Sequence, residues 1–174
     1  MAINTLTFGG SWPLTGFWKD GTTGAVLRKK FGVLSVPELS ISLTYGTGSG
    51  QANWAYYASR ALAGTTYDLL DLSGSLADGL GNTISATKLK LAVIGIASPD
   101  GTKKLRVGPQ NQSNAAQLHW GGTGATVYKE VAYWDVIAYE KVAGYTVTAA
   151  TADIFPIYNP TGSSITYSIL MAGV

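Results

Sequence analysis

Cysteine is absent, histidine occurs once, and Asp, Glu, Lys and Arg together make up only 13% of the 174 residues. The lack of cysteine excludes disulfide frameworks, zinc–thiolate centres and thiol nucleophiles. A single histidine, His119 in Gln117-Leu118-His119-Trp120, argues against general-base chemistry, which needs a nucleophile and an orienting carboxylate beside the imidazole. We expect His119 to be a structural hydrogen-bonder. The charged share is about half the usual figure of roughly 25%. A chain so poor in charge either covers itself with neutral polar groups or buries part of its outside against neighbours, and the second reading points to an assembled subunit.

Charge of one sign is also lacking. The formal net charge is +2, too small for a nucleic-acid-binding face. The one basic run, Arg28-Lys29-Lys30, suits a solvated loop or strand edge. Long apolar runs are missing as well: Leu89 to Ala97 comes closest, whereas a membrane-spanning helix needs roughly 20 residues. The start, Met1-Ala2-Ile3-Asn4-Thr5, has neither the basic nor the apolar region of a signal peptide. The expectation is a soluble chain made in a cytoplasm, with no nucleic-acid or membrane partner.

Helical periodicity is scarce, and alternation with period two recurs. Leu39, Ile41, Leu43 and Tyr45 alternate with hydroxyl residues, as a strand with one wet face does. Thr87 to Ile96 predicts a long strand. Its second half, Val93-Ile94-Gly95-Ile96, is apolar on both faces and so covered on both. Ser98-Pro99-Asp100-Gly101 predicts a turn, with Leu105-Arg106-Val107 returning as the hairpin partner and Lys103, Lys104 and Arg106 beside the tip. Thr126 to Ala138 and Gly144 to Ala149 carry further strand residues. Ile154 to Asn159 is a short strand that Pro156 should confine to an edge or bulge. Ile165 to Met171 closes the chain with Ile165, Tyr167, Ile169 and Met171 on one face. Gln51 to Leu62 permits a helix or a strand, and its aromatics favour the strand. The sum is an all-β antiparallel β-sandwich of eight or nine strands, jelly-roll-like because long connections such as Ser73 to Thr83 do not suit a meander. We expect residues 1–20 to form an N-terminal arm or docking segment and residues 21–174 a single sandwich domain.

No catalytic constellation emerges, and the expectation is a non-enzymatic protein without a cofactor. The Gly-rich loops lack the Lys-Ser/Thr ending of a phosphate-binding loop, and Asn111-Gln112-Ser113 is a glycosylation sequon without a secretion signal. Asp68, Asp71, Asp78 and Asn82 crowd one stretch. Asp71, Asp78 and Asn82 are candidate calcium ligands, against the alternative that Asp and Asn beside Gly simply make turns. Five Trp and ten Tyr supply aromatic surface that binds sugars or anchors interfaces. Trp12, Phe17 and Trp18 lie in one irregular N-terminal stretch and must pack on their own core, on another subunit or on a partner. They are the expected subunit or partner contact.

From Gly64 to Val174 the chain carries a series of strand and turn motifs that match a known family. The matching residues are Asp71-Leu72-Ser73-Gly74-Ser75-Leu76-Ala77-Asp78-Gly79-Leu80-Gly81, then Lys90 with Ile96, then Leu105-Arg106-Val107-Gly108. The ending matches in Ile157-Tyr158-Asn159-Pro160-Thr161-Gly162 and Tyr167-Ser168-Ile169-Leu170-Met171-Ala172-Gly173. In these residues the chain resembles small virion proteins of tailed bacteriophages, and the resemblance implies a jelly-roll subunit of the capsid decoration, or cement, type. Such a protein would be a homotrimer bound to the major capsid protein on the virion surface. The alternative is a carbohydrate- or receptor-binding β-sandwich module of a phage fibre.

Overall fold

The computed structural model describes residues 3–9, 15–20, 26–30, 41–96, 102–116, 126–132 and 136–174. Among these residues there are thirteen strands and no helix, hence no helix long and apolar enough to cross a membrane. The strands are β1 (Ile3–Gly9), β2 (Thr15–Asp20), β3 (Val26–Lys30), β4 (Ile41–Tyr45), β5 (Gln51–Ala52), β6 (Trp54–Leu62) and β7 (Tyr67–Asp71). They continue as β8 (Lys88–Ile96), β9 (Lys104–Val107), β10 (Lys129–Ala132), β11 (Val136–Thr146), β12 (Ile154–Tyr158) and β13 (Ile165–Gly173).

The last eight strands form two packed antiparallel sheets, ordered β11-β8-β13-β6 and β10-β9-β12-β7. Numbered from β6, the first strand pairs with the eighth, the second with the seventh, the third with the sixth and the fourth with the fifth. That nested order is a long hairpin rolled into a β-sandwich, the arrangement of a jelly roll. Between the sheets, Leu70, Leu105, Val107, Val131, Phe155 and Ile157 meet Tyr56, Ile94, Ile165, Tyr167, Ile169 and Met171 in one core. Each large apolar side chain buried there contributes about 1.5–3 kcal/mol. The region Gln51 to Leu62 is strand throughout except at Asn53, as its aromatics suggest: Trp54 and Tyr56 point into this core.

The covered half-strand expected at Val93 to Ile96 extends further. From Leu89 to Ile96 every residue of β8 is buried, and so is all of β13 except Thr166. Leu91, Val93, Leu170 and Ala172 lie outside the inter-sheet core and are nonetheless fully buried. This sheet is thus covered on both faces, which accounts for its nearly continuous apolar runs. Gly173 is required by close approach. A Cβ there would meet the Lys88 carbonyl oxygen at 2.0 Å and the Trp54 ring at 2.6 Å. In β11 the pairing with β8 shifts register between Glu140 and Tyr145, and Gly144 takes the bulge with φ +81°.

Two pairing expectations are corrected. β9 is not the hairpin partner of β8; it lies in the other sheet between β10 and β12. Local turn chemistry marks where the chain reverses but not which sheet it re-enters. Pro156 sits in an internal strand, not at an edge, because β12 is bounded by β7 and β9. It is tolerated because the β9 ladder starts at Ile157. The Pro156 carbonyl accepts from the Gly108 N–H at 3.2 Å. In a strand the N–H and C=O of one residue point the same way, so the missing N–H faces the place where β9 has already ended.

The first five strands make another sheet, ordered β3-β2-β1-β4-β5, antiparallel except for β4 against β5. The expected division at residue 20 falls between β2 and β3 of this sheet. Among the described residues, Arg28, Lys29 and Lys30 lie on β3 at the edge of this sheet. The junction to the sandwich is tied by the Asn53 N–H, which donates to the Gly173 carbonyl at 2.9 Å, and by Lys90, whose buried ammonium donates to the Gly48 carbonyl.

Candidate interaction site

Three groups of side chains stand out on the sandwich. The first closes the side where β6 and β7 are the edge strands of opposite sheets. Arg60 on β6 donates from Nε to Asp68 Oδ2 at 2.5 Å and from Nη2 to Oδ1 at 3.0 Å. Tyr167 on β13 donates its hydroxyl to Asp68 Oδ2 at 2.7 Å, and Arg60 Nη1 reaches the Tyr56 hydroxyl at 3.2 Å. The planar guanidinium fork matches the carboxylate, and both bonds are charge-assisted. The hydrogen bond to Asp68 raises the Arg60 pKa further, against partial burial. Burial raises the Tyr167 pKa, and its hydrogen bond to Asp68 adds to the effect. Both carboxylate oxygens are taken, so the cluster is a tie between sheets.

The Tyr167 shift has a sign that can be tested. Folded, the phenol holds its proton above its ordinary pKa of 10.0. The unfolded chain then binds fewer protons, so stability falls as pH rises past that value. Lys90 has the opposite sign: burial, with Lys88 nearby, lowers its pKa from 10.5, so its contribution improves as pH approaches that value. Urea unfolding between about pH 8 and about pH 11 should show a steeper alkaline loss in the native chain than in Tyr167→Phe.

The second group is the stretch Asp71 to Asn82. Asp71 Oδ1 accepts from the Ser73 N–H at 2.8 Å. Asp78 Oδ1 accepts from the N–H groups of Leu80 and Asn82 at 2.9 and 2.8 Å, and Asn82 Nδ2 donates to Asp78 Oδ2 at 3.1 Å. These are turn closures of the Asx kind. Among the described residues no three His, Asp or Glu side chains gather in a way that could hold a metal ion. Beside these turns is a hollow of about 260 Å³ lined by Asn53, Trp54, Asp78, Asn82, Thr83, Ile84 and Ser85. The Trp54 indole N–H has no partner. It is shut off from solvent, so it does not open into the hollow.

The third group covers the outer face of the β10-β9-β12-β7 sheet. Tyr67 and Leu69 on β7 are 38% and 46% exposed. The Tyr67 and Tyr158 rings lie 4.5 Å apart, tilted by 31°, with Tyr158 opposite Tyr67 and Pro156 opposite Leu69. Further across, the Arg106 guanidinium lies 4.5 Å from the centre of the Tyr128 ring, and Arg106 Nε lies 3.6 Å from Glu130 Oε1. Lys104 pairs with the same carboxylate at 3.4 Å. Tyr and Arg on a rigid sheet are the side chains that most often anchor protein interfaces.

Trp12 and His119 lie outside the described residues. So do the side chains of Phe17 and Trp18, whose backbone is in β2 opposite Thr7 and Leu6 of β1. Asp153 Oδ2 accepts the Ala150 N–H at 2.5 Å and closes a turn. Sequence reading missed Tyr67, Leu69 and Arg60. The available signal was the outward parity of Tyr67 and Leu69 in Tyr67-Asp68-Leu69-Leu70-Asp71, which the neighbouring Asp cluster obscured. Compared with known proteins, the chain matches no family model, no curated protein and no solved structure.

Proposed function

We propose that this chain is a non-enzymatic structural subunit of the capsid decoration type, which binds the major capsid protein on the outside of a tailed-phage shell and stabilises the virion. The observation that carries the reading is the nested eight-strand order, a jelly roll, an architecture widely used in viral shells. This is an argument from fold analogy, and it is joined by the motif resemblance from Gly64 to Val174. The low charge fits a subunit that covers part of its surface with neighbours. Repetition over many copies lets a modest contact act with high avidity. The docking residues proposed are Trp12, Phe17 and Trp18.

The test is cosedimentation of the purified chain with undecorated capsids from a panel of tailed phages. Binding to one shell type is expected, with loss of the protein from the pellet when Trp12, Phe17 and Trp18 are all changed to Ala. Failure to pellet with any shell would overturn the reading, and undiminished binding by the triple variant would overturn the docking assignment.

A second reading has one observation in its favour. The hollow beside Trp54 is lined by the polar residues Asn53, Asp78, Asn82, Thr83 and Ser85, a composition suited to the hydroxyls of a sugar ring, and jelly rolls also serve as lectins. Glycan-array binding that Asn82→Ala and Thr83→Ala abolish would favour a carbohydrate-binding fibre module instead.

A further inference from the structure

Among the described residues β7 ends its sheet, and its outer edge carries little protection. Alternation along the strand fixes which groups point outward. The Leu72 N–H donates to the Asp153 carbonyl at 2.9 Å, and the Thr66 carbonyl accepts from the Asn159 N–H at 3.0 Å. Even-numbered residues therefore direct their backbone groups toward β12. Tyr67, Leu69 and Asp71 direct theirs to the other side, where the sheet has no further strand among the described residues. Their side chains share the outer face, with Tyr67 and Leu69 exposed. Natural edges are usually guarded by charge, proline or a covering element. The opposite edge, β10, carries exposed Lys129 and Glu130. On β7, Asp68 is turned away into its bonds with Arg60 and Tyr167, leaving an apolar Leu69 at the middle of the edge.

The strand Tyr67-Asp68-Leu69-Leu70-Asp71 is complementary to itself when reversed. We propose that β7 pairs with β7 of a second copy, antiparallel about a two-fold axis at Leu69, so that two four-stranded sheets become one eight-stranded sheet. In that register Leu69 lies opposite Leu69 of the second copy, and Tyr67 lies opposite its Asp71. All three edge-directed residues pair with edge-directed residues. The Tyr67 hydroxyl is a donor facing the Asp71 carboxylate, whose Oδ1 already holds the Ser73 N–H, leaving Oδ2 free to accept. Charge selects the register. Sliding the strands to centre on Asp71 sets two carboxylates face to face, whereas centring on Leu69 places each carboxylate beside a phenol. A C2 contact of this kind is isologous and closes at two copies. It differs from the three-fold assembly that the virion resemblance implies, and it does not depend on shell binding.

The test is the solution mass of the full-length chain by light scattering behind a sizing column, with no capsid present. A mass of twice 18.2 kDa is expected. Leu69→Lys sets two ammonium groups opposite each other at an exposed position and should give the monomer mass with an unchanged circular dichroism spectrum. Leu69→Glu should do the same, and mixing the two variants should restore the dimer, because Lys then faces Glu across the axis. A native chain that is monomeric or trimeric overturns the proposal, as does a Leu69→Lys variant that still dimerises. A mixture that stays monomeric overturns the register. Capsid cosedimentation is read separately, so either result leaves the shell reading to its own test.

Discussion

Asn159→Asp should cost about 5 kcal/mol of stability, and Asn159→Ala about 3 kcal/mol, although the first change replaces only an amino group by an oxygen. Asn159 is fully buried. Its Nδ2 donates to the carbonyls of Leu62, Ala63 and Ser163 at 3.0, 3.0 and 2.9 Å. Its Oδ1 accepts from the N–H and hydroxyl of Thr161 at 3.0 and 2.7 Å. One side chain therefore holds together the turn that leaves β6 and the turn that enters β13. The Thr65 N–H reinforces this by donating to the Thr161 carbonyl at 2.9 Å. Alanine removes the side-chain donor shared by three carbonyls, of which Ala63 and Ser163 keep the hydroxyls of Thr66 and Thr161 at 2.8 and 3.0 Å. Aspartate is worse: it aims a buried negative oxygen at three carbonyl oxygens, and relief comes only by taking up a proton. Urea unfolding at neutral pH should rank the variants in that order, and the Asp variant should recover part of its loss in mild acid. Equal stability of the two would mean that the carbonyls are satisfied in another way.

The second large effect is expected at Asp68. Asp68→Ala should destabilise the fold by about 3 kcal/mol. It removes the shared acceptor of Arg60 and Tyr167, and the Tyr167 hydroxyl cannot turn to water because the residue is fully buried. Arg60 is partly exposed, with 38% of its side chain accessible, and regains hydration, which keeps the loss below that of a wholly buried pair. Arg60→Ala should therefore cost less than Asp68→Ala. The double variant should fall well short of the summed single losses, since both act on one network. Thermal and urea unfolding measure all three, and strict additivity would show that the tie is not a unit.

The contrast between these two sites shows where the sequence was legible. Strand identity could be read because alternation is local: Ile165, Tyr167, Ile169 and Met171 repeat every second residue, and all four are buried in the inter-sheet core. Pairing could not be read, because nothing near Leu105 says that its neighbours are β10 and β12 rather than β8. Asn159-Pro160-Thr161-Gly162 was legible as a turn, yet the reach of its amide to Leu62 and Ala63 depends on the nested order. Asp68 looked like one of several carboxylates. Its role appears only when Arg60, eight residues away, and Tyr167, from the last strand, arrive beside it. Asp71, Asp78 and Asn82 stood as candidate calcium ligands against a turn-making reading, and the bonds they make are the short-range ones of turns.

The nested pairing also dictates how the chain must find its fold. β9 and β10 are close in sequence and can meet early, whereas the partners Trp54 and Gly173 stand at the two ends of the sandwich sequence. Each outer pair closes a longer loop than the one inside it, and the entropy of loop closure rises with length. Folding should thus be slow, in the millisecond-to-second range typical of non-local β topologies. The outermost strands zip last. Until they do, β13 waits with Ile165, Tyr167, Ile169, Leu170 and Met171 uncovered, so refolding yield should drop steeply as protein concentration rises.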